Sequence, residues 1–242
     1  SDDKLGTFAS FNEPRYIYLD ATNNIFIAEN SSKIRVISSG GNVSTWYSHP
    51  DLLNANSITF QAGNMNVAYV SLANHTVYKI TRTGTVFTQK LIAGKPGVSG
   101  FKDGNDTTAR LNSPQDIVVD NAGNVFVADE NNNAIRKITP AGVVSTFAGN
   151  GVPLLMDGLG TQASFNRPRG LFLETDNSIY VADFNNNSIR KITPTGNVTT
   201  YYTFNDIMAS PNPWDVARDK KGNFFVPFQS SIGNGIKKVI FK

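Results

Sequence analysis

One segment of this chain is written twice. Asn112-Ser113-Pro114-Gln115-Asp116, Val127-Ala128-Asp129 with Asn131-Asn132-Asn133, and Ile135-Arg136-Lys137-Ile138-Thr139-Pro140 return as Asn166-Arg167-Pro168-Arg169-Gly170, Val181-Ala182-Asp183 with Asn185-Asn186-Asn187, and Ile189-Arg190-Lys191-Ile192-Thr193-Pro194. Self-similarity at a period of roughly 40 to 60 residues marks an array of one supersecondary unit and decides the fold class before propensity is weighed. Aligned on the residue that opens each unit, the copies begin at Pro14, Ala55, Pro114, Pro168 and Pro213.

Each copy reads alike. An apolar run such as Ile117-Val118-Val119 follows the opening residue, and a Gly-Asn or Asn-Asn turn comes next (Gly123-Asn124, Asn23-Asn24). A second short run, an Asn-rich loop, an Ile-Arg-Lys-Ile run and a last β-branched run such as Val143-Val144-Ser145-Thr146-Phe147 complete it. Short β-branched and aromatic stretches between turn residues are strands, and no stretch keeps helical spacing over three turns. The unit is a four-stranded antiparallel blade. The fold class is therefore all-β, a β-propeller of about five four-stranded blades with the last one incomplete.

The frame Asn-x-Pro-x-Gly/Asp, Asp-x-x-Gly-Asn, Val-Ala-Asp-x-x-Asn-Asn-x-Ile-Arg-Lys-Ile resembles the NHL repeat over nearly the whole length, most closely in copies three and four. The resemblance implies a propeller, and the relatives it brings nearest are bacterial NHL-repeat proteins of the cell envelope. Six blades are the commonest number in that family, so five copies depart from it. The run Ile236-Lys237-Lys238-Val239 matches the third strand of a blade and nothing follows it that reads as a fourth. We therefore expect a closing strand upstream of Ser1, and residues 1–242 to be a single domain cut from a longer protein.

Composition narrows the chemistry. The absence of cysteine removes disulfides, thiol catalysis and Cys-based zinc sites. Net charge is +3 with 17% charged residues, so Asn, Ser and Thr supply the polar surface, which fits an extracytoplasmic location: periplasmic, cell-surface or secreted. No membrane span and no cofactor motif is present, and the expected state is a monomer.

Three motifs invite a chemical reading. The pairs Glu29/Arg35, Asp129/Arg136 and Asp183/Arg190 recur blade by blade, but copy two carries Leu72 and Tyr78 at both positions. Partners that vanish together are expected to form one structural ion pair per blade. The Asp-Gly loops at Asp103, Asp106 and Asp157 lack the alternating oxygen ligands of a calcium loop and read as turns. His49 and His75 fall in different copies and do not assemble a metal site.

The informative positions vary while the frame stays fixed. The residue after the opening one is Arg15, Asn56, Gln115, Arg169 or Trp214, and Phe184 lies on the same face. Variable residues on a rigid scaffold are where binding resides. The leading expectation is a non-catalytic recognition module for a protein or glycan on the loop-rich face. Arg15 and Arg169 would meet anionic or carbonyl groups, Trp214 and Phe184 would stack, and Asn56 and Gln115 would hydrogen-bond. Two alternatives stand beside it. One is a metal-dependent propeller lyase or lactonase, for which only Glu130 and Asp116 lie near the mouth. The other is an RNA-binding domain using Arg15, Arg110, Arg167 and Arg169, which a net charge of +3 supports poorly.

Overall fold

In a computed structural model that describes residues 4–5, 9–204, 212–231 and 233–239, five antiparallel sheets follow one another along the chain. Blade 1 comprises Pro14–Leu19, Ile25–Glu29, Lys33–Ile37 and Asn42–Ser48. Blade 2 comprises Ala55–Gln61, Asn64–Leu72, Thr76–Thr83 and Val86–Gly94. Blade 3 comprises Pro114–Val119, Val125–Asp129, Ala134–Ile138 and Val143–Ala148. Blade 4 comprises Pro168–Leu173, Ile179–Asp183, Ser188–Ile192 and Asn197–Thr203. In blade 5, Asn212–Pro213 and Ala217–Arg218 both pair with Phe224–Ser230, whose other edge takes Gly233–Val239. The two short pieces share the inner position, so no outer strand is present in blade 5 among the described residues.

The turn motif explains the first hairpin of each blade. Asn23, Gly63, Gly123, Asn177 and Gly222 all adopt positive φ, which Gly and Asn tolerate best. In blades 1, 3 and 5 an Asp one turn earlier holds the following Asn. Asp120 Oδ1 accepts Asn124 N at 2.8 Å, and Asp120 Oδ2 accepts Asn124 Nδ2 at 2.7 Å.

The repeated acid and arginine are a buried clamp, as the sequence led us to expect. Arg136 Nη1 donates to Asp129 Oδ2 at 2.9 Å, and Arg190 repeats the bond to Asp183 at 2.9 Å. Arg35 lies 3.5 Å from Glu29. The Asp also accepts Asn112 N (Asp129) or Asn166 N (Asp183), which fastens the incoming connection to the blade. Asp103 and Asp157 do more than shape turns, because they accept the second Nη of Arg136 and Arg190 at 2.6 and 2.7 Å. In blade 2, Leu72 and Tyr78 fill the clamp's place inside an apolar cluster.

The connections differ from a plain link between blades. Gly104–Asn105 and Gly158–Leu159 add a short fifth strand to the outer edge of the blade they lead into, and Lys4–Leu5 does the same for blade 1.

Apolar clusters join neighbouring blades: 1 with 2, 2 with 3, 3 with 4, and 4 with 5. In the first of these, Trp46 packs edge-on against Phe26 and Phe60. Burial of such faces is the main favourable term holding the ring, since each aromatic removes a large apolar area from water.

Candidate functional site

The inner strand of every blade is irregular at the same place. Its register slips between Pro14 and Tyr16, Ala55 and Ser57, Pro114 and Ile117, and Pro168 and Leu171, and in blade 5 the strand breaks after Pro213. A bulge re-aims the side chains it carries. Here it turns the two residues after the opening position toward the axis. They line one cavity of about 480 Å³, whose walls include Arg15, Asn56, Gln115, Arg169 and Trp214 above Tyr16, Ser57, Asp116, Gly170 and Asp215.

Asp116 is the hub of the lower layer. Its Oδ1 accepts Ser57 Oγ at 2.6 Å and Ile117 N at 2.7 Å, and its Oδ2 accepts Leu171 N at 2.8 Å and Tyr16 Oη at 3.3 Å. One carboxylate thus takes donors from blades 1 to 4. Asp215 approaches from blade 5 and accepts Val216 N at 2.7 Å. Burial raises the Asp116 carboxyl to about 6, against the pull of its hydrogen bonds. Burial, with the neighbouring Asp116 charge, raises Asp215 to about 8. Burial of both carboxyls and the charge of Asp116 disfavour ionisation of Asp215 beside it.

The upper layer is a cross-linked collar. Arg15 Nη1 donates to Asn56 Oδ1 at 2.9 Å, and Asn56 Nδ2 donates to Pro114 O at 2.9 Å. Glu130 accepts Gln115 Nε2 at 2.9 Å, Arg169 Nε at 2.9 Å and Arg167 Nη2 at 2.7 Å. The Arg169 guanidinium packs against two rings that meet edge to face, 3.6 Å from the Phe184 centroid and 4.0 Å from that of Trp214. Five of the six expected ligand residues line this mouth, and Phe184 lies buried against Arg169 and Trp214. Arg15, Asn56, Arg169 and Phe184 make contacts across blade boundaries, while Gln115 is held to Glu130 of its own blade. Arg15 and Trp214 keep exposed surface.

Other expected residues lie elsewhere. Arg110 donates to Thr107 O and Ala109 O within its own connection, and Arg167 shares Glu130 with Arg169, so the four arginines form no free basic face. His75 Nδ1 faces Ser113 N at 3.0 Å, and His49 Nδ1 faces Gln89 Nε2 at 2.8 Å. Among the described residues, no three His, Asp or Glu side chains converge as metal ligands. No helix of the structure is long and apolar enough to cross a membrane. Tyr16, Ser57 and Asp215 were missed by sequence reasoning, although aligning the second residue after each opening position brings out Tyr16, Ser57, Asp116, Gly170 and Asp215 together.

Comparison with known proteins agrees with this architecture. Residues 111–138 and 165–192 match the NHL repeat family. NHL repeat-containing protein 2 from Bos taurus is 35% identical over 101 residues, 41% of this chain and 14% of that protein. A second curated relative is matched over 9% of its length, so the chain spans a small part of each. An auxiliary nutrient binding protein from Bacteroides ovatus superposes with a TM-score of 0.68 at 16% identity, over 90% of this chain and 57% of its own. Virginiamycin B lyase from Staphylococcus aureus superposes with a TM-score of 0.63 at 15% identity, over 94% of this chain and 70% of its own. The two matched NHL repeats form blades 3 and 4, and with five antiparallel sheets following one another they make this chain a β-propeller that contains NHL repeats.

Proposed function

We propose that the chain is a recognition module that takes a polyhydroxylated ligand, such as a glycan terminus, at the channel mouth. The observation that carries this reading is the convergence of ten inner-strand positions, two per blade, on one open cavity of about 480 Å³. Trp214 is 48% exposed at its rim and offers a face for a sugar ring. Arg15 and the Asp116/Asp215 pair supply donors and acceptors for hydroxyls. An extracytoplasmic site of action and a monomeric state belong to the same reading, because exposed glycans lie outside the cytoplasm and the ligand needs no second chain. Binding of labelled protein to an array of defined oligosaccharides tests it. Trp214→Ala with Arg15→Ala should abolish the signal, and a cooperative melting transition should show that the double variant still folds, since both side chains lie at the exposed rim. Arg169→Ala is unsuitable for this purpose, because its loss unties the collar. An array with no specific binder, or unchanged binding by the double variant, would sink the reading.

A second reading is favoured by one observation, Asp116 and Asp215 set together at the cavity floor with burial raising both carboxyls. Such a pair suits general acid–base chemistry, in which one carboxyl donates while the other accepts. Turnover lost on Asp215→Asn, with glycan binding retained, would move the assignment from binding to lyase or lactonase chemistry.

A further inference from the structure

The connections leading into blades 3 and 4 carry apolar side chains that the ring does not use. Val152-Pro153-Leu154-Leu155-Met156 has no charged or polar side chain, and all five residues are exposed. Val152, Leu154, Leu155 and Met156 are 47%, 53%, 48% and 41% exposed, and Val98 and Phe101 on the preceding connection are 39% and 45%. The two runs touch, since a Cβ on Gly151 would stand 3.1 Å from Phe101 Cε1. They form one apolar patch outside the cavity.

Backbone carbonyls fasten the second run. Asn186 Nδ2 donates to Leu154 O at 3.0 Å, Arg190 Nη2 to Met156 O at 2.9 Å, and Ser164 N to Met156 O at 3.0 Å. The clamp of blade 3 takes Lys102 O in the same way, from Arg136 at 3.0 Å. The repeat therefore asks for a carbonyl at this position and nothing of its side chain, which is lysine in one copy and methionine in the other. The fold holds residues 152–156 outward without needing their apolar character. An exposed apolar patch of this kind marks a site of association.

The surrounding charge favours one partner. The acids of these connections are already matched: Asp103 by Arg136 at 2.6 Å, Asp157 by Arg190 at 2.7 Å, and Asp106 by Lys90 at 3.4 Å. Lys95 and Lys102 are exposed beside Val98 and Phe101 and make no ion pair among the described residues. We infer that residues 95–102 and 151–156 are a membrane-docking surface, whose apolar side chains enter the interface of an anionic bilayer while Lys95 and Lys102 meet its headgroups. Projecting apolar residues and flanking lysines are two signals that together hold a protein on such a surface. A second copy of the chain suits the patch less well. Six side chains, none more than 53% exposed, offer less than the ~800 Å² per partner of a stable interface. A two-fold pairing would also bring the lysines of both copies together. Both connections lead into the opening residues Pro114 and Pro168, so docking sets the cavity's end of the ring against the bilayer. The inference stands whatever the cavity binds.

Sedimentation with vesicles tests it, using phosphatidylcholine alone and about three parts phosphatidylcholine to one of phosphatidylglycerol. The chain should bind the anionic vesicles at least about tenfold more tightly than the neutral ones, and less tightly as salt rises. Leu154→Ser with Leu155→Ser should weaken that binding by about tenfold or more. Lys95→Gln with Lys102→Gln should remove the preference for phosphatidylglycerol. The chain has no cysteine, so Leu155→Cys can carry a single environment-sensitive fluorophore. Its emission should move to the blue on anionic vesicles. A label on Val86→Cys, 62% exposed at the far end of blade 2 where it pairs with Thr83, should not respond. No binding to the anionic vesicles would overturn the inference, as would an unshifted label on Leu155→Cys. Full binding by the double leucine variant would also overturn it, since the contact would then be electrostatic alone. Self-association without vesicles that the leucine variant abolishes would give the surface to a second copy instead.

Discussion

A Cβ placed on Gly170 would stand 2.2 Å from Asp215 Oδ1 and 2.4 Å from Asp215 Cα. Blade 5 therefore reaches the cavity floor only because blade 4 has no side chain there. The second clash is with backbone, so a rotamer change cannot relieve it. Gly170→Ala should destabilise the fold by about 2 kcal/mol or more, against the small gain that Gly→Ala brings through the unfolded state. Urea unfolding measures the loss, and the emission of Trp214, next in sequence to Asp215, should shift with it. An unchanged midpoint and spectrum would show that blade 5 does not lean on Gly170.

The raised Asp215 carboxyl makes stability depend on pH. Asp215 is raised from 3.8 to about 8, so the folded state holds a proton that the unfolded chain has released. Its contribution is fully present below about pH 4 and is lost as pH rises through about 8. Asp215→Asn removes this slope. The variant should gain on the wild type by roughly 2 kcal/mol between pH 5 and pH 9, allowing for partial solvation of the pair. Unfolding midpoints for both proteins across that range provide the check, and parallel curves would contradict the assignment.

Glu130 holds the collar. Its side chain is 4% exposed and meets donors from Gln115, Arg167 and Arg169. Glu130→Gln keeps the shape but removes the charge, leaving a buried guanidinium partly unpaired. A loss of about 2–3 kcal/mol is expected, and Arg169→Ala in the Glu130→Gln background should cost less than it does alone. Thermal unfolding of the four proteins of the cycle measures the coupling, and additive losses would argue against a collar.

Much of this molecule is legible in the repeat, because its signals are local. The Asp-x-x-Gly-Asn turn, the short strands and the Asp–Arg clamp are each encoded within one hairpin, and copy two identifies the clamp as structural by losing both partners at once. What sequence alone conceals is set between blades. Arg169 looks like a free ligand hook until its acceptor, Glu130 in the preceding blade, comes within 2.9 Å. Ile17 and Ile117 are the same residue at the same position of the repeat, yet one is bare and the other covered, because burial here is decided by the neighbouring blade. Asp215 was hidden differently. The alignment that found Trp214 extends one residue further to it, and only the bulged inner strand reveals that both positions face the axis.

Blade 2 supplies a design for testing the clamp. Leu72 and Tyr78 occupy the places of Asp129 and Arg136, and both are buried. Asp129→Leu alone leaves Arg136 buried with Asp103 as its remaining acidic partner, and strands Asn112 N as a donor. It should cost about 3–5 kcal/mol, the range for breaking a buried ion pair from one side. Asp129→Leu with Arg136→Tyr restores an apolar pair, but Asn112 N still loses its acceptor, and Lys102 O and Arg110 O lose the Arg136 donor while keeping their backbone bonds. The double variant should therefore be more stable than Asp129→Leu by at least about 1 kcal/mol and still fall short of the wild type. Urea midpoints of the three proteins decide it. A double variant no better than the single one would mean that the clamp's worth lies in tying the incoming connection, through Asn112 and Asp103, and not in the Asp129–Arg136 pair itself.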